Sequence, residues 1–231
     1  MKKKISLMIL TMIFCLGFTT AAFAGNYFCV MTNKPDNANK IEATTGKLKV
    51  ANDPTVGRSS DSCGWVMIGG QSSTQYVQLG WLKKVDSYGV VSKYHFAEGN
   101  DDNWFGPDVI YGSSYSINST YTYSIVESTL TEGKYYFYIN GSSIGGYLTE
   151  DFVPGGVQSG EEVLGDISST RISGTTINKA SVSEWKYRRD GENYVQMKVV
   201  TEDPLISSSY FRLDDSEMPT LGKFYMWDTR L

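Results

Sequence analysis

The sequence predicts an all-β protein, a two-sheet antiparallel β-sandwich of the jelly-roll or concanavalin-like kind. Runs rich in Val, Ile, Tyr, Phe and Thr recur between clusters of Gly, Ser, Asn and Asp, which is the pattern of short strands joined by turns. No segment shows a convincing helical period. Many strands at this spacing favour a sandwich in which each strand buries at least one face.

Each strand is predicted from its own run of β-branched and aromatic residues. The predicted strands cover residues 27–32, 64–68, 75–82, 90–97, 121–127, 134–139, 161–167, 180–188 and 194–201. Asn140-Gly141 and Gly145-Gly146 supply the positive backbone dihedrals that hairpins require. The segment 203–231 mixes strand-like pieces with two prolines, so we expect edge strands or a closing loop there.

The first 24 residues predict export of the chain. Three lysines at 2–4 precede an apolar run over 5–18, and Ala22-Phe23-Ala24 follows as a small-residue cleavage site, which together are typical of a secretory signal peptide. The run is too short to span a bilayer. We therefore expect a bacterial-type signal peptide at 1–24 and a single β-sandwich domain at 25–231, secreted and extracellular.

Charge and cysteine content restrict the partners and the chemistry. The signal contains three of the 21 basic residues and none of the 25 acidic ones, so the processed chain has a formal charge of 18 − 25 = −7. Such an acidic chain argues against nucleic acid and anionic membranes as partners, and we expect a monomer. Cys29 and Cys63 remain, and in an oxidising compartment we expect one disulfide between them, with two free buried thiols as the alternative.

Strand alternation collects polar and aromatic residues on one face of two neighbouring strands. In 76–81 the apolar residues at odd positions should point into the core, which leaves Tyr76 and Gln78 on the other face. In the preceding strand the same alternation places Trp65 and Met67 on that face. A face with this composition is typical of a groove that binds an extended ligand.

Elimination leaves carboxylates as the chemically active candidates. His95 is the single histidine, and we expect it to be an ordinary strand residue, so a multi-histidine zinc site is excluded and a Cys-His pair is disfavoured. Glu161 and Glu162 begin a strand pattern, and adjacent strand residues point to opposite faces. Only one of them can share a face with Gln78, and alternation leaves open which one.

These residues resemble a known signature. The segment Trp65-Val-Met-Ile-Gly-Gly, followed by Gln78 and Gly80, is similar to the Trp-Val-x-Ile-Asp-Gly…Gln-x-Gly pattern of the glutamic peptidases, the eqolisin family. The segment 160–165, Gly-Glu-Glu-Val-Leu-Gly, is similar to their Ala-Glu-Trp-Ile-Val-Glu strand. The resemblance covers residues 63–167. The chain departs from the family at Gly69, where the family has an aspartate that supports the catalytic pair, and at Glu162, where the family has a tryptophan.

The resemblance implies a secreted endopeptidase with a glutamine and glutamate pair on one sheet of a lectin-like sandwich. It assigns Glu161 as the general base for water and Gln78 as the donor to the oxyanion, 161 − 78 = 83 residues apart. This mechanism acts on an extended polypeptide and needs no metal or other cofactor. The residues expected to contact the substrate are Trp65, Met67, Tyr76 and Glu162.

The alternative function is a non-catalytic secreted sandwich that binds carbohydrate or a cell-wall or surface ligand. The loop 98–108 favours this alternative, because oxygen-rich loops can hold calcium and an exposed tryptophan can stack on a sugar ring. Its spacing matches no strict calcium motif, and a hydrated turn is the other interpretation. The residues concerned are Asp101, Asp102, Asn103, Trp104 and Asp108.

Overall fold

The computed structural model describes residues 26–72, 74–101, 107–198 and 204–230, so the predicted signal peptide lies outside the described residues. Two short helical segments, a 3₁₀ turn at Ala38–Lys40 and α1 at Met218–Leu221, connect strands. The strands are β1 (Asn26–Asn33), β2 (Ile41–Val50), β3 (Ser60–Gly70), β4 (Tyr76–Val85), β5 (Val91–Asn100), β6 (Asp108–Tyr111), β7 (Ser119–Glu127), β8 (Lys134–Ile139), β9 (Ser142–Ser143), β10 (Leu148–Thr149), β11 (Pro154–Leu164), β12 (Ala180–Arg189), β13 (Val195–Gln196), β14 (Leu205–Ile206), β15 (Phe211–Asp214) and β16 (Phe224–Asp228). Neither helical segment is long and apolar enough to span a membrane, and no other described residues form such a helix.

The strands form two antiparallel sheets that pack face to face, which confirms the predicted β-sandwich. One sheet has seven strands in the order β14-β1-β11-β3-β4-β5-β6. The other has nine strands, with the order β10-β8-β7-β2-β12-β16-β15 and with β13 and β9 paired to β12 and β8. Large side chains from both sheets fill the space between them, among them Trp81, Tyr123, Phe137, Trp185 and Phe224.

The seven-stranded sheet buries residues on both of its faces. Its inner face contributes Val77, Leu79 and Trp81 to the core between the sheets, as alternation predicts. Its outer face carries a second apolar cluster, and we call this the groove face. The buried members of that cluster are Val30, Cys63, Trp65, Met67, Tyr76 and Phe96.

Most predicted strands are present, and the differences have physical reasons. The turn at Asn140-Gly141 has φ of 51° and 81°, as a tight hairpin requires. β2 was not predicted, because its ten residues, IEATTGKLKV, contain few large apolar side chains, although it lies between β7 and β12. β11 begins at Pro154 rather than 161, because its first half consists mainly of small residues whose burial depends on neighbouring strands. In the C-terminal segment, β14 and β15 are edge strands, and residues 199–203 lie outside the described part of the chain.

Two glycines allow the backbones of the seven-stranded sheet to approach closely. Gly80 lies opposite Trp65 across β3 and β4, and Gly160 lies opposite Trp65 from β11. A Cβ atom on Gly80 would lie 1.9 Å from the carbonyl oxygen of Gly64, and one on Gly160 would lie 2.4 Å from that of Cys29. Neither contact can be relieved by rotating a side chain.

The Gly80→Ala substitution is expected to destabilise the protein by about 3 kcal/mol, because the new methyl group must displace backbone. Gly112→Ala is the control, since its Cβ would have His95 Cβ as its nearest contact, at 3.3 Å. Urea unfolding of both variants measures the difference. An equal loss in the two proteins would contradict the close backbone approach at Gly80.

The structure contradicts the predicted disulfide between Cys29 and Cys63, both of which are free and buried. β11 lies between their strands, β1 and β3. Cys29 belongs to the core between the sheets, where its Sγ donates to the Arg212 carbonyl at 3.4 Å, whereas Cys63 lies on the groove face. Two side chains on opposite faces of a sheet cannot be bridged without moving the backbone.

Both thiols should therefore be found reduced. In protein lacking the first 24 residues, titration with a thiol reagent in denaturant without reductant is expected to label Cys29 and Cys63. Reductant should leave the melting temperature unchanged, because no cross-link restricts the unfolded chain. A chain that resists labelling and melts lower after reduction would show that the bridge forms.

Candidate functional site

A groove of about 270 Å³ opens on the groove face of the seven-stranded sheet. It is formed mainly by the side chains of β3, β4, β5 and β11 that point away from the core. The residues that line it are Asp61, Cys63, Met67, Tyr76, Gln78, Leu82, Phe96, Glu98, Pro107, Glu162 and Leu164.

The strand register arranges these side chains in rows across the sheet, because residues directly opposite one another in a ladder share a face. One row contains Gln158, Met67, Gln78 and Glu98, from β11, β3, β4 and β5 in turn. The side chains of the next row leave space in the surface of the sheet, because two of its four members are glycines. This row contains Gly160, Trp65, Gly80 and Phe96. The third row contains Glu162, Cys63, Leu82 and Tyr94.

Gln78 has a carboxylate as its direct neighbour. Glu98 lies opposite it on β5 and accepts hydrogen bonds from the Gln78 side chain and from the Tyr76 hydroxyl. Burial raises the pKa of Glu98, the two hydrogen bonds oppose that rise, and the negative charge of Asp61 adds to it. The result is a glutamine and glutamate pair at the groove, with the carboxylate oriented by two donors.

Glu162 is a second carboxyl group of the groove, and it is more deeply buried than Glu98. Its Oε2 accepts a hydrogen bond from Trp65 Nε1 at 3.2 Å and lies 4.0 Å from Cys63 Sγ. Burial raises the pKa of Glu162 to about 8, against the effect of the Trp65 hydrogen bond, and the charges of Glu98 and Asp61 add to the rise. Glu162 therefore carries a proton at neutral and acidic pH.

Glu161 points to the opposite side of β11, into the core between the sheets. Its carboxyl group accepts hydrogen bonds from the Ser173 hydroxyl and from the backbone N–H of Ser173, at 3.0 Å, and of Gly174. Burial raises its pKa to about 8 in spite of these bonds. The structure therefore corrects the expected pairing: it does not bring Gln78 and Glu161 together, and the glutamate of the doublet that reaches the groove is Glu162.

The other residues expected to contact a substrate are all buried, and two of the three line the groove. Trp65 is fully buried, and Met67 and Tyr76 are each 4% exposed. Met67 and Tyr76 line the groove, whereas Trp65 lies beneath it and donates to Glu162. Gly69, where the resembling family has an aspartate, lies opposite Tyr76 in the ladder.

The alternative calcium loop is only partly within the described residues, since Asp102, Asn103 and Trp104 lie outside them. Asp101 and Asp108 lie close enough to the buried Glu150 to raise its pKa, which burial has already increased, to about 8. In the described part of the chain, no group of three or more His, Cys, Asp or Glu side chains is placed to hold a metal ion.

His95 is buried on the core side of β5, and its Nδ1 lies 2.9 Å from the Tyr123 hydroxyl. Its ring packs edge-on against Tyr121. Burial lowers the pKa of His95 to about 4, so the ring is neutral at physiological pH. These contacts are those of a structural residue, as the sequence predicts.

Glu98 is the site residue that the sequence reasoning missed. The predicted strand ended at residue 97, so Glu98 fell into the following loop, whereas β5 continues to Asn100. The sequence contained a signal for Glu98. Glu98 is two residues after Phe96 and therefore lies on the same face of the strand, and pairing the strands on either side of the 86–90 turn as a hairpin places it opposite Gln78.

The solved structures that share the fold include peptidases of the family that the sequence resembles. A Scytalido-glutamic peptidase with a peptide-based transition-state analogue superposes with a TM-score of 0.53 at 11% identity, covering 89% of this chain and 98% of that one. SCP-B, an eqolisin-family peptidase in complex with the tripeptide Ala-Ile-His, gives a TM-score of 0.52 at 10% identity over 89% and 98%. The resemblance to eqolisins is thus confirmed for the fold. Neither the protein-family models nor the curated protein sequences contain a match to this chain.

Proposed function

We propose that the protein is an exported endopeptidase of the glutamic type, in which Glu98 and Gln78 act on a water molecule and a polypeptide bound in the groove. The observation that carries this proposal is the cross-strand pair itself, a carboxylate of raised pKa hydrogen-bonded to an uncharged amide at a groove. The fold shared with glutamic peptidases supports it. A polypeptide in extended form fits a groove whose lining runs along β3 from Met67 to Asp61.

In this mechanism Glu98 accepts a proton from water while the water oxygen attacks the carbonyl carbon of the scissile bond. Gln78 has two amide N–H donors, one directed to Glu98 and one available for the oxygen that becomes negatively charged. The proton on Glu98 then passes to the leaving nitrogen as the C–N bond breaks, which regenerates the carboxylate. Tyr76 holds Glu98 in place throughout.

Glu162 contributes by remaining protonated. A second full negative charge in the same groove would raise the pKa of Glu98 further and leave the base unavailable. Because burial raises the pKa of Glu162 to about 8, Glu162 is neutral at neutral and acidic pH and places no second negative charge beside Glu98. Environments that separate the proton affinities of two neighbouring carboxyl groups are typical of acid–base sites.

The buried aromatic residues favour a peptide over a carbohydrate as the ligand of this groove. Sugar rings stack on accessible aromatic faces. Here Trp65 is fully buried and Tyr76 and Phe96 are 4% and 2% exposed, so their rings support the carboxyl groups and offer little face to a sugar.

The direct test is hydrolysis of an unfolded protein substrate from about pH 2 to pH 9. The parent protein is expected to cleave it, and Gln78→Ala is expected to lose about 10²- to 10³-fold in kcat, the usual effect of removing one oxyanion donor. Gln71→Ala is the matched control, since Gln71 is exposed in the turn between β3 and β4. Absence of cleavage by the parent at every pH would overturn the proposal and leave a binding groove to be screened with peptides and glycans.

Export is a separate proposal, supported by the lysines, apolar run and Ala22-Phe23-Ala24 site of the leader. Expression of the full chain in a bacterium should release protein whose first residue is Gly25. Sequencing of its N-terminus provides the measurement, and retention of an uncleaved leader inside the cell would contradict export.

A further inference from the structure

The ionisable groups that line the groove are all acidic. Three carboxyl groups, those of Asp61, Glu98 and Glu162, line it, and among the described residues that line it there is no lysine, arginine or histidine. The charge of Asp61 raises the pKa of Glu98, and the charges of Glu98 and Asp61 raise the pKa of Glu162, so their fields overlap inside the groove. Apolar side chains make up much of the remaining wall, so the negative charge is set in a partly desolvated cavity.

Asp61 occupies the end of the groove that is farther from Gln78 along β3. It lies opposite Leu164 of β11 in the ladder, and Leu82 lies nearby on β4. Its side chain is 20% exposed, and burial raises its pKa. The nearest cation is Lys84, whose Nζ is 4.0 Å from Asp61 and whose side chain is 51% exposed, a loose pairing of the kind that contributes little.

We propose, on the basis of the function proposed above, that the groove selects polypeptides with a lysine or arginine side chain, and that Asp61 determines this preference. The long apolar stem of such a side chain packs on Leu82 and Leu164, while its charged end replaces Lys84 at Asp61. An acidic side chain is repelled by Asp61, and a neutral one does not compensate its charge.

The position of Asp61 also fixes where the recognised side chain lies in the substrate. Asp61 precedes Met67, the neighbour of Gln78, by six residues of β3, which corresponds to at most roughly 20 Å of strand. The recognised residue is therefore several positions away from the bond that is cleaved. Its binding energy acts at a distance from the chemistry, and the preference should appear at that substrate position and not beside the scissile bond.

The test uses otherwise neutral peptides that carry lysine, its uncharged analogue norleucine, or glutamate at each position in turn. For each peptide, kcat/KM is measured, and binding is measured separately by anisotropy of a labelled peptide. At one position remote from the cleaved bond, lysine is expected to exceed norleucine by about tenfold in kcat/KM, as a partly buried charge pair allows.

Variants identify the residue responsible. Asp61→Asn is expected to reduce the lysine-to-norleucine ratio to near one, and Asp61→Glu, which keeps the charge, should retain most of it. Asp36→Asn is the matched control, because Asp36 is exposed in the connection between β1 and β2. Melting temperatures of all three variants establish that they are folded.

The outcomes separate this inference from the proposed function. Cleavage with equal rates for lysine and norleucine, or a ratio unaffected by Asp61→Asn, would overturn the role of Asp61 and leave the peptidase standing. No cleavage, but preferential binding of the lysine peptide that depends on Asp61, would overturn the peptidase and support the charge recognition. Neither cleavage nor selective binding would overturn both.

Discussion

Replacing Glu98 by glutamine is expected to lower kcat/KM for peptide hydrolysis by about 10²- to 10⁴-fold, the usual contribution of a positioned general base. The substituted amide has nearly the same shape and its oxygen can still accept from Tyr76, but it cannot remove a proton from water. The loss should be found at every pH, and the melting temperature should change little.

Two further substitutions make this result specific. Glu161→Gln should retain activity at a pH at which the variant is folded, because the Glu161 carboxyl group of the parent faces the core and is bound to Ser173. Glu162→Gln should retain a large part of it, since Glu162 acts in its uncharged form. Retained activity in Glu98→Gln together with a loss in Glu161→Gln would show that the pairing implied by the sequence resemblance operates after all, and would refute the assignment to Glu98.

The pH profile gives an independent readout of the same residue. A general base must be ionised, and burial raises the pKa of Glu98 above its ordinary value. The acidic limb of kcat/KM should therefore lie at higher pH than an unperturbed glutamate would give. The acidic limb of kcat, which reports the enzyme–substrate complex, should move toward lower pH with a basic substrate, because the bound positive charge offsets that of Asp61, which raises the pKa of Glu98.

The second large effect concerns stability and is expected from Glu161. Its folded-state pKa of about 8 exceeds the 4.5 of an ordinary glutamate, so between these values the folded chain holds a proton that the unfolded chain has lost. Stability is then greatest below about pH 4.5 and falls as the pH rises toward 8. A tenfold change in proton affinity corresponds to about 1.4 kcal/mol, so the stability lost through this one group on raising the pH from about 4.5 to about 8 amounts to several kcal/mol.

Glu161→Gln should remove the part of this pH dependence that comes from Glu161 and leave the parts from Glu150 and Glu162. Its amide nitrogen can donate to the Ser173 hydroxyl and its oxygen can accept from the Ser173 N–H, so the local contacts are kept without a titrating group. Urea unfolding at about pH 5 and about pH 8.5 should show a smaller loss of stability in the variant than in the parent. Ser173→Ala provides the opposite change, because losing a hydrogen bond to the ionised form steepens the pH dependence. If the free energy of unfolding depended on pH in the same way in all three proteins, the burial of Glu161 would be contradicted.

The sequence predicted the class of fold and the faces of β3 and β4, because strict alternation of large apolar residues with polar ones is a local signal. It did not decide between Glu161 and Glu162, because both faces of β11 are buried and the residues that follow, Val163 and Leu164, fit either side. The choice depends on Ser173, which reaches the inner face from the loop that follows β11. Contacts made by residues outside the strand leave no mark in the pattern of the strand itself.

The expected disulfide failed for a related reason. Two cysteines in a chain with a secretory leader are a compositional argument for a bridge, and composition carries no information about which face of a sheet each one occupies. β2 was missed because its central place in the nine-stranded sheet comes from pairing with β7 and β12, not from its own side chains.

The consecutive carboxyl groups of β11 also bear on how the chain avoids a misaligned sheet while it folds. If β11 slipped by one residue, Glu161 would take the place of Glu162 in the groove, and the acidic doublet would do little to disfavour the error. Gly160 prevents this alternative alignment, because after a slip its place would be taken by Ser159 or Glu161, whose Cβ would collide with the backbone of β1. Gly160, which has no side chain, thus decides which of the two glutamates lies in the groove.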